Sequence, residues 1–126
     1  MASIQSFTGL KAWQEAHKLV ILVYQETKTF PKEEVFGLVS QMRRASISVT
    51  SNIAEGFGRK SYKEKTQFFY LAQGSLMELK NQPIASRDIG YLKEESFARL
   101  MSQAELAHKI LQGLITSSKN ILKSEA

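Results

Sequence analysis

Cysteine is absent from this 126-residue chain, and proline occurs only twice. Without cysteine the chain forms neither disulfides nor cysteine-based zinc sites. The longest apolar run, Leu19–Tyr24, is far shorter than the roughly 20 residues that a membrane-spanning helix needs. The first residues, MASIQSFTGLKAWQ, lack the basic start and apolar stretch of a secretory signal. These absences predict a soluble, cytoplasmic protein with no membrane partner.

Charge of one sign is in excess. Seventeen Lys and Arg residues against twelve Asp and Glu residues give a net charge of +5. This balance favours anionic partners, with RNA and DNA among them. The length predicts one domain over residues 1–126. Because a core of this size is small, assembly into an oligomer would help to stabilise it.

Apolar residues repeat with helical spacing in four segments, and no segment alternates with the period of a β-strand. The predicted helices cover residues 10–28, 35–57, 61–82 and 94–122. Pro31 ends the first helix, and glycines at 56 and 58 end the second. Pro83 breaks or kinks the third, and a continuation by one or two turns over Ile84–Asp88 is left open. Four helices with short connections predict an all-α, antiparallel up-down four-helix bundle.

The first predicted helix is apolar over an unusually wide arc. Two adjoining faces contribute to this arc: Leu10, Trp13, His17, Val20, Tyr24 and Thr27 on one, and Ala12, Ala16, Leu19 and Val23 on the other. One intramolecular contact needs a narrower stripe. The surplus apolar surface predicts a homo-oligomer.

A polar stripe runs along the second predicted helix beside its apolar face. Its members are Gln41, Arg44, Ser48, Asn52, Glu55 and Arg59. Ser75 and Glu78 of the third helix are the expected partners, so the stripe is interpreted first as a structural hydrogen-bond network. On this interpretation Glu55→Ala strands Arg44 or Arg59 and costs about 1–3 kcal/mol. The alternative is that Asn52, Glu55 and Arg59 line a ligand or nucleic-acid surface.

Basic residues are densest between the second and third predicted helices. The candidate nucleic-acid-binding residues are Arg43, Arg44, Arg59, Lys60, Lys63 and Lys65. Tyr62 lies within this set and suits stacking on a base. A solvated cationic turn is the alternative interpretation. Nothing in the pattern predicts base-specific recognition.

Catalytic and metal sites are not predicted, and no cofactor is expected. Glu105 and His108 have the Glu-x-x-His spacing of di-iron bundles. Such sites need two of these motifs, but His17 has no glutamate three residues before it. No nucleophile–base pair or phosphate loop is recognisable either. The chain is therefore not expected to be an enzyme.

Several motifs together resemble one protein family. They are FPKEE at 30–34, QMRRA at 41–45, SV at 48–49, NIAEG at 52–56, GR at 58–59 and GSLMEL at 74–79. On these the chain resembles the four helix bundle proteins, also called 23S rRNA intervening sequence proteins. The resemblance implies an up-down bundle that assembles as a ring, typically a homopentamer, without enzymatic activity. Pro83 stands where relatives often carry leucine within the third helix.

Two functions remain open at this point. The leading hypothesis is a non-enzymatic, basic oligomeric scaffold that binds RNA or DNA without sequence specificity. The alternative is a protein-interaction or assembly module that does not bind nucleic acid.

Overall fold

The computed structural model of the protein describes residues 4–125, and within them it contains four long α-helices and no β-strand. The helices are α1 (Lys11–Thr27), α2 (Leu38–Gly58), α3 (Tyr62–Ile89) and α4 (Glu94–Glu125). Short 3-10 turns at Phe7–Gly9 and Lys32–Glu34 precede and follow α1. The all-α prediction is confirmed.

Each helix packs on two neighbours. α1 contacts α2 and α4, and α3 contacts α2 and α4, whereas the diagonal pairs do not pack on each other in the described part of the chain. Because consecutive helices are joined by short connections, neighbours run in opposite directions. The packing is that of a four-helix bundle. None of these helices, over residues 4–125, is long and apolar enough to cross a membrane.

All four helices contribute to one apolar core. Its most completely buried side chains include Leu19, Val23, Met42, Val49, Ile53, Leu76, Leu79, Leu100, Leu111 and Ile115. On α1, the face that begins at Ala12 and Ala16 enters this core. On the other apolar face of α1, Val20 and Thr27 are buried and Trp13 packs against the core, whereas His17 and Tyr24 are exposed. The bundle itself therefore covers most of the wide arc of α1, and the surplus apolar surface expected there is small.

The second helix begins later than predicted. It starts at Leu38 rather than near residue 35, because residues 32–34 form a separate 3-10 turn. The Oε1 atom of Glu34 accepts a hydrogen bond from the Leu38 backbone N–H at 3.2 Å, which satisfies a free donor at the helix start. Val35 and Phe36 are therefore displaced from the helix into the preceding loop.

The third helix continues through Pro83, and the predicted end near residue 82 is corrected to Ile89. Proline lacks the N–H that would bond to the Leu79 carbonyl. The Pro83 ring is nevertheless buried, so apolar packing offsets that loss. The helix ends at Gly90, whose φ of 99° is a left-handed conformation that glycine adopts without steric cost.

Candidate nucleic-acid interface

The six candidate basic residues lie at opposite ends of α2. Arg43 and Arg44 are near its beginning, whereas Arg59 directly follows its last residue. Arg44 and Arg59, the nearest members of the two groups, are fifteen positions apart, which is roughly 22 Å at about 1.5 Å per residue. Lys60, Lys63 and Lys65 join Arg59. We call this second group the turn end of α2.

At the turn end, Lys65 stabilises the end of α2. Its Nζ donates to the Phe57 carbonyl at 2.7 Å and lies 3.5 Å from the Gly56 carbonyl. The Gly56 carbonyl also accepts a hydrogen bond from the Arg59 backbone N–H at 3.2 Å, and a lysine charge is favourable at this negative end of the helix dipole. The same ammonium group lies 5.8 Å from the centre of the Tyr62 ring. Lys65 and Tyr62 are therefore occupied with each other and with the turn.

Arg59 is also held by its neighbours. Its guanidinium lies 4.5 Å from the centre of the Phe68 ring. Its NH2 atom is 3.6 Å from the Glu55 carboxylate, and its NH1 atom is 3.8 Å from that of Glu64. Its Nε is buried without a hydrogen-bond partner. Two carboxylates thus partly neutralise the arginine nearest the turn.

Lys60 and Lys63 differ from the other two cations. Both are exposed, and neither has a side-chain partner among residues 4–125. They are the two charges at the turn end that remain available to an anionic ligand.

At the beginning of α2, Arg43 links α2 to α1. Its Nε donates to the Thr27 hydroxyl at 3.0 Å, and its NH2 atom lies 3.4 Å from the Tyr24 carbonyl. The guanidinium carbon lies 4.6 Å from the centre of the Tyr24 ring, within the range of a cation–π contact. These contacts hold the guanidinium against the wall of a surface groove.

This groove lies between the end of α1 and the beginning of α2, and its volume is about 860 Å³. We call it the α1–α2 groove. Four of its lining residues are cationic and none is acidic; the cations are Lys28, Lys32, Arg43 and Arg44. Glu34 comes from the same loop but does not line it, because its carboxylate accepts hydrogen bonds from the Tyr91 hydroxyl and the Leu38 N–H.

The groove also presents apolar and aromatic surface. Phe36 is 97% exposed, and Tyr24, Val35 and Ile47 line the same groove while partly exposed. A basic groove with exposed aromatic side chains is the arrangement that binds single-stranded nucleic acid. Lys28, Lys32 and Phe36 were not among the predicted site residues, because Phe36 was placed within a helix and both lysines lie outside the predicted basic cluster.

Part of the polar stripe forms a hydrogen-bonded group between α2 and α3. The Ser48 and Ser75 hydroxyl oxygens are 2.8 Å apart. The Asn52 side-chain amide donates to the Ser48 carbonyl at 2.9 Å and to its hydroxyl at 3.2 Å. These three side chains link the two helices at one level of the bundle.

The remaining members of the stripe are closer to solvent. Gln41, Arg44 and Glu78 are exposed and have no side-chain hydrogen bond or ion pair within residues 4–125. Glu55 pairs with Arg59 rather than Arg44, and its side chain is 55% exposed. The poorly solvated setting expected for the whole stripe therefore does not apply to Glu55.

Glu105 and His108 both lie beside Lys80. The Lys80 ammonium is 3.0 Å from the Glu105 carboxylate and forms a hydrogen bond with His108 Nδ1. Burial lowers the pKa of His108 below its ordinary 6.5, and the Lys80 charge lowers it further. Over the described residues, no three His, Cys, Asp or Glu side chains are grouped as metal ligands would be.

The fold and the sequence together define the class of this protein. It is an all-α protein of four packed helices, and residues 8–113 match the family described as 23S rRNA-intervening sequence protein. Because this match spans most of the chain, the protein belongs to that family.

One solved structure with a similar fold is a protein of unknown function from the S23 ribosomal protein family of Bacteroides thetaiotaomicron. The two share 15% sequence identity with a TM-score of 0.75, over 83% of this chain and 95% of the other. At that identity the likeness concerns the fold alone. No curated protein matches the sequence significantly.

Proposed function

We propose that this protein is a non-enzymatic, cytoplasmic scaffold that binds single-stranded RNA or DNA without sequence specificity in the α1–α2 groove. The observation that carries the proposal is the lining of that groove, which combines four cations and exposed aromatic rings with no carboxylate. Phosphates pair with the cations, and each base has a flat face that stacks on an aromatic ring.

The proposal differs from the sequence-based hypothesis in where the ligand lies. At the turn end, Arg59 and Lys65 are engaged by carboxylates, carbonyls and rings. In the α1–α2 groove, Lys28, Lys32 and Arg44 have no side-chain partner among residues 4–125. Free cations release more counterions on binding phosphate than cations that already have partners. The groove is therefore the better site, and Lys60 and Lys63 are secondary contacts.

Homo-oligomerisation, as a ring and most simply a pentamer, is part of the same proposal. Large apolar side chains are exposed on the outer faces of α3 and α4, namely Tyr70, Leu71, Met77, Ile84 and Leu106. Contact with further copies would cover this surface. A mass near 14.2 kDa by light scattering at micromolar concentration would contradict it.

The test of nucleic-acid binding compares Phe36 with its neighbour Val35. We expect Phe36→Ser to weaken binding of a single-stranded homopolymer by about tenfold or more, since stacking is worth about 1–3 kcal/mol per base. Val35→Ser is the matched control, because it removes apolar area from the same loop without removing a ring. Fluorescence anisotropy at low salt measures both, with a duplex of equal length as a second ligand.

The results separate this function from the assembly-module alternative. Exposed Phe36 is the observation that favours the alternative, since such a side chain also suits a protein partner. If neither RNA nor DNA binds at low salt, and Phe36→Ser lowers the oligomeric mass, the assembly module is the correct function. Equal losses from Phe36→Ser and Val35→Ser would exclude stacking on Phe36.

A further inference from the structure

A second pocket lies between α2 and α3 and adjoins the α1–α2 groove, with which it shares Arg44 and Ser48 as lining residues. Its volume is about 290 Å³, just below the range of about 300–1,000 Å³ for pockets that hold small molecules. Polar side chains dominate its lining, which consists of Gln41, Arg44, Ala45, Ser48, Ser75, Glu78 and Gln82. We call it the α2–α3 pocket.

The Ser48–Ser75 hydrogen bond fixes how the two walls of the pocket face each other. α2 and α3 are antiparallel, so one turn toward the start of α2 lies beside one turn toward the end of α3. Arg44 precedes Ser48 by one turn and Glu78 follows Ser75 by about one turn, so Arg44 and Glu78 lie at the same level of the bundle. A cation and a carboxylate thus flank the pocket from opposite walls. Neither belongs to an ion pair within residues 4–125.

Gln82 is a lining residue of the α2–α3 pocket with an unusual buried atom. Its side chain lines the pocket, it is only 9% exposed, and its Oε1 atom is buried without a hydrogen-bond partner. Such an unpaired buried acceptor is costly and rare in native proteins. Gln82 follows Glu78 by one helical turn on the same face of α3. Because the Gln82 Oε1 atom is covered by protein, the exposed Glu78 carboxylate is the acceptor that the α3 wall offers to a ligand.

We propose that the α2–α3 pocket binds a small zwitterion of the free amino-acid class. The ligand carboxylate pairs with the Arg44 guanidinium, and the ligand ammonium donates to the Glu78 carboxylate. A zwitterion of this kind gives both the cation on the α2 wall and the carboxylate on the α3 wall an oppositely charged partner. A simple anion or cation satisfies one wall and leaves the opposite charge without a partner.

The direct test uses the full chain and a free amino acid as the probe. Alanine and glutamine are titrated while NMR follows the Gln82 side-chain amide. We expect a saturable shift of this signal. Propionate lacks the ammonium and propylamine lacks the carboxylate, so each should bind at least about tenfold more weakly, as expected for loss of a charged hydrogen bond.

Exchanging the charges of Arg44 and Glu78 distinguishes ligand binding from a purely structural role of these two residues. Arg44→Glu and Glu78→Arg should each lower the affinity for alanine by about tenfold or more. The double variant restores one charge of each sign, so the zwitterion binds in the reverse orientation and affinity recovers. Lys60→Gln at the turn end is the control and should bind alanine normally.

Several results would overturn the proposal. They are the absence of a saturable Gln82 shift with any amino acid, equal binding of alanine and propionate, and failure of the double variant to recover. Glu78→Gln distinguishes the two sites because Glu78 does not line the α1–α2 groove. It should abolish amino-acid binding and leave nucleic-acid binding unchanged.

Discussion

The two ends of α2 carry similar numbers of basic residues but place them in different surroundings. At the turn end, Lys65 bonds to helix carbonyls and Arg59 lies between Phe68 and two carboxylates. At the groove end, Lys28 and Lys32 have no side-chain partner within residues 4–125. Two of the four cations at the turn end therefore stabilise the fold, and the other two, Lys60 and Lys63, are free within the described residues. At the groove end Arg43 alone of the four cations is held by neighbours in that part of the chain, so more of the charge there is available to a ligand.

The largest expected effect concerns matched pairs of lysines. Replacing Lys28 and Lys32 with Gln should weaken single-stranded DNA binding about tenfold at low salt and lower the logarithmic salt slope by about 1.4, since each phosphate contact contributes about 0.7. Replacing Lys60 and Lys63 with Gln removes the same charge at the turn end and should change affinity less than about threefold. If the Lys60 and Lys63 substitutions lower the affinity more than the Lys28 and Lys32 substitutions, the turn end is the nucleic-acid site instead of the groove.

Packing at the turn end gives the next largest effect. A Cβ added at Gly56 would lie 2.6 Å from the Phe69 ring and 3.1 Å from Phe68 Cβ. We expect Gly56→Ala to destabilise the protein by about 1–3 kcal/mol through overpacking. Gly74 is the control, because a Cβ there meets nothing within 4 Å. Gly74→Ala should stabilise α3 by about 0.5–1 kcal/mol. Denaturant unfolding measures both.

Substitution of Lys65 shows whether a cation at the turn end contributes to the free energy of unfolding. Lys65→Gln should lower the free energy of unfolding by about 0.5–1.5 kcal/mol, because its hydrogen bonds to the end of α2 are lost. Lys63→Gln, an exposed change two residues away, should stay within about 0.5 kcal/mol of the wild type. If the two variants unfold at the same denaturant concentration, Lys65 has no such role.

Glu55 should show the smallest effect. Its ion pair with Arg59 is more than half exposed on the glutamate side, and such pairs contribute about 0–1 kcal/mol. We now expect Glu55→Ala to cost less than about 0.5 kcal/mol, rather than the larger value expected for a buried partner. Asn52→Ala should cost about 1 kcal/mol, since it removes the link to Ser48. Thermal unfolding of both variants tests this order.

The helices could be predicted because their signals are local. Apolar residues such as Val39, Met42, Val49 and Ile53 repeat with the period of a helix, and each is buried in the core. The end of α3 could not be predicted in the same way. Pro83 removes a backbone donor locally, and only its burial against the rest of the bundle explains why the helix continues.

The candidate sites depended on contacts that the sequence pattern does not contain. The sequence placed Arg44, Ser48, Ser75 and Glu78 in the α2–α3 region, because helical periodicity identifies residues that share a face. It did not show that Gln82 would line the α2–α3 pocket while its amide oxygen is buried without a partner. Nor did it show that Lys65 would turn toward the carbonyls at the end of α2.

The sequence by itself determined the all-α class, the approximate helices and the excess of positive charge, because periodicity and composition are properties of the chain alone. Only the tertiary structure decided which charges stay free. Whether a lysine meets a carbonyl, a carboxylate or water depends on how the 3-10 turn before α2 and the connection after it fold against neighbouring helices. For that reason Lys28, Lys32 and Phe36 are brought together at one groove, while Arg59 and Lys65 are held within the turn.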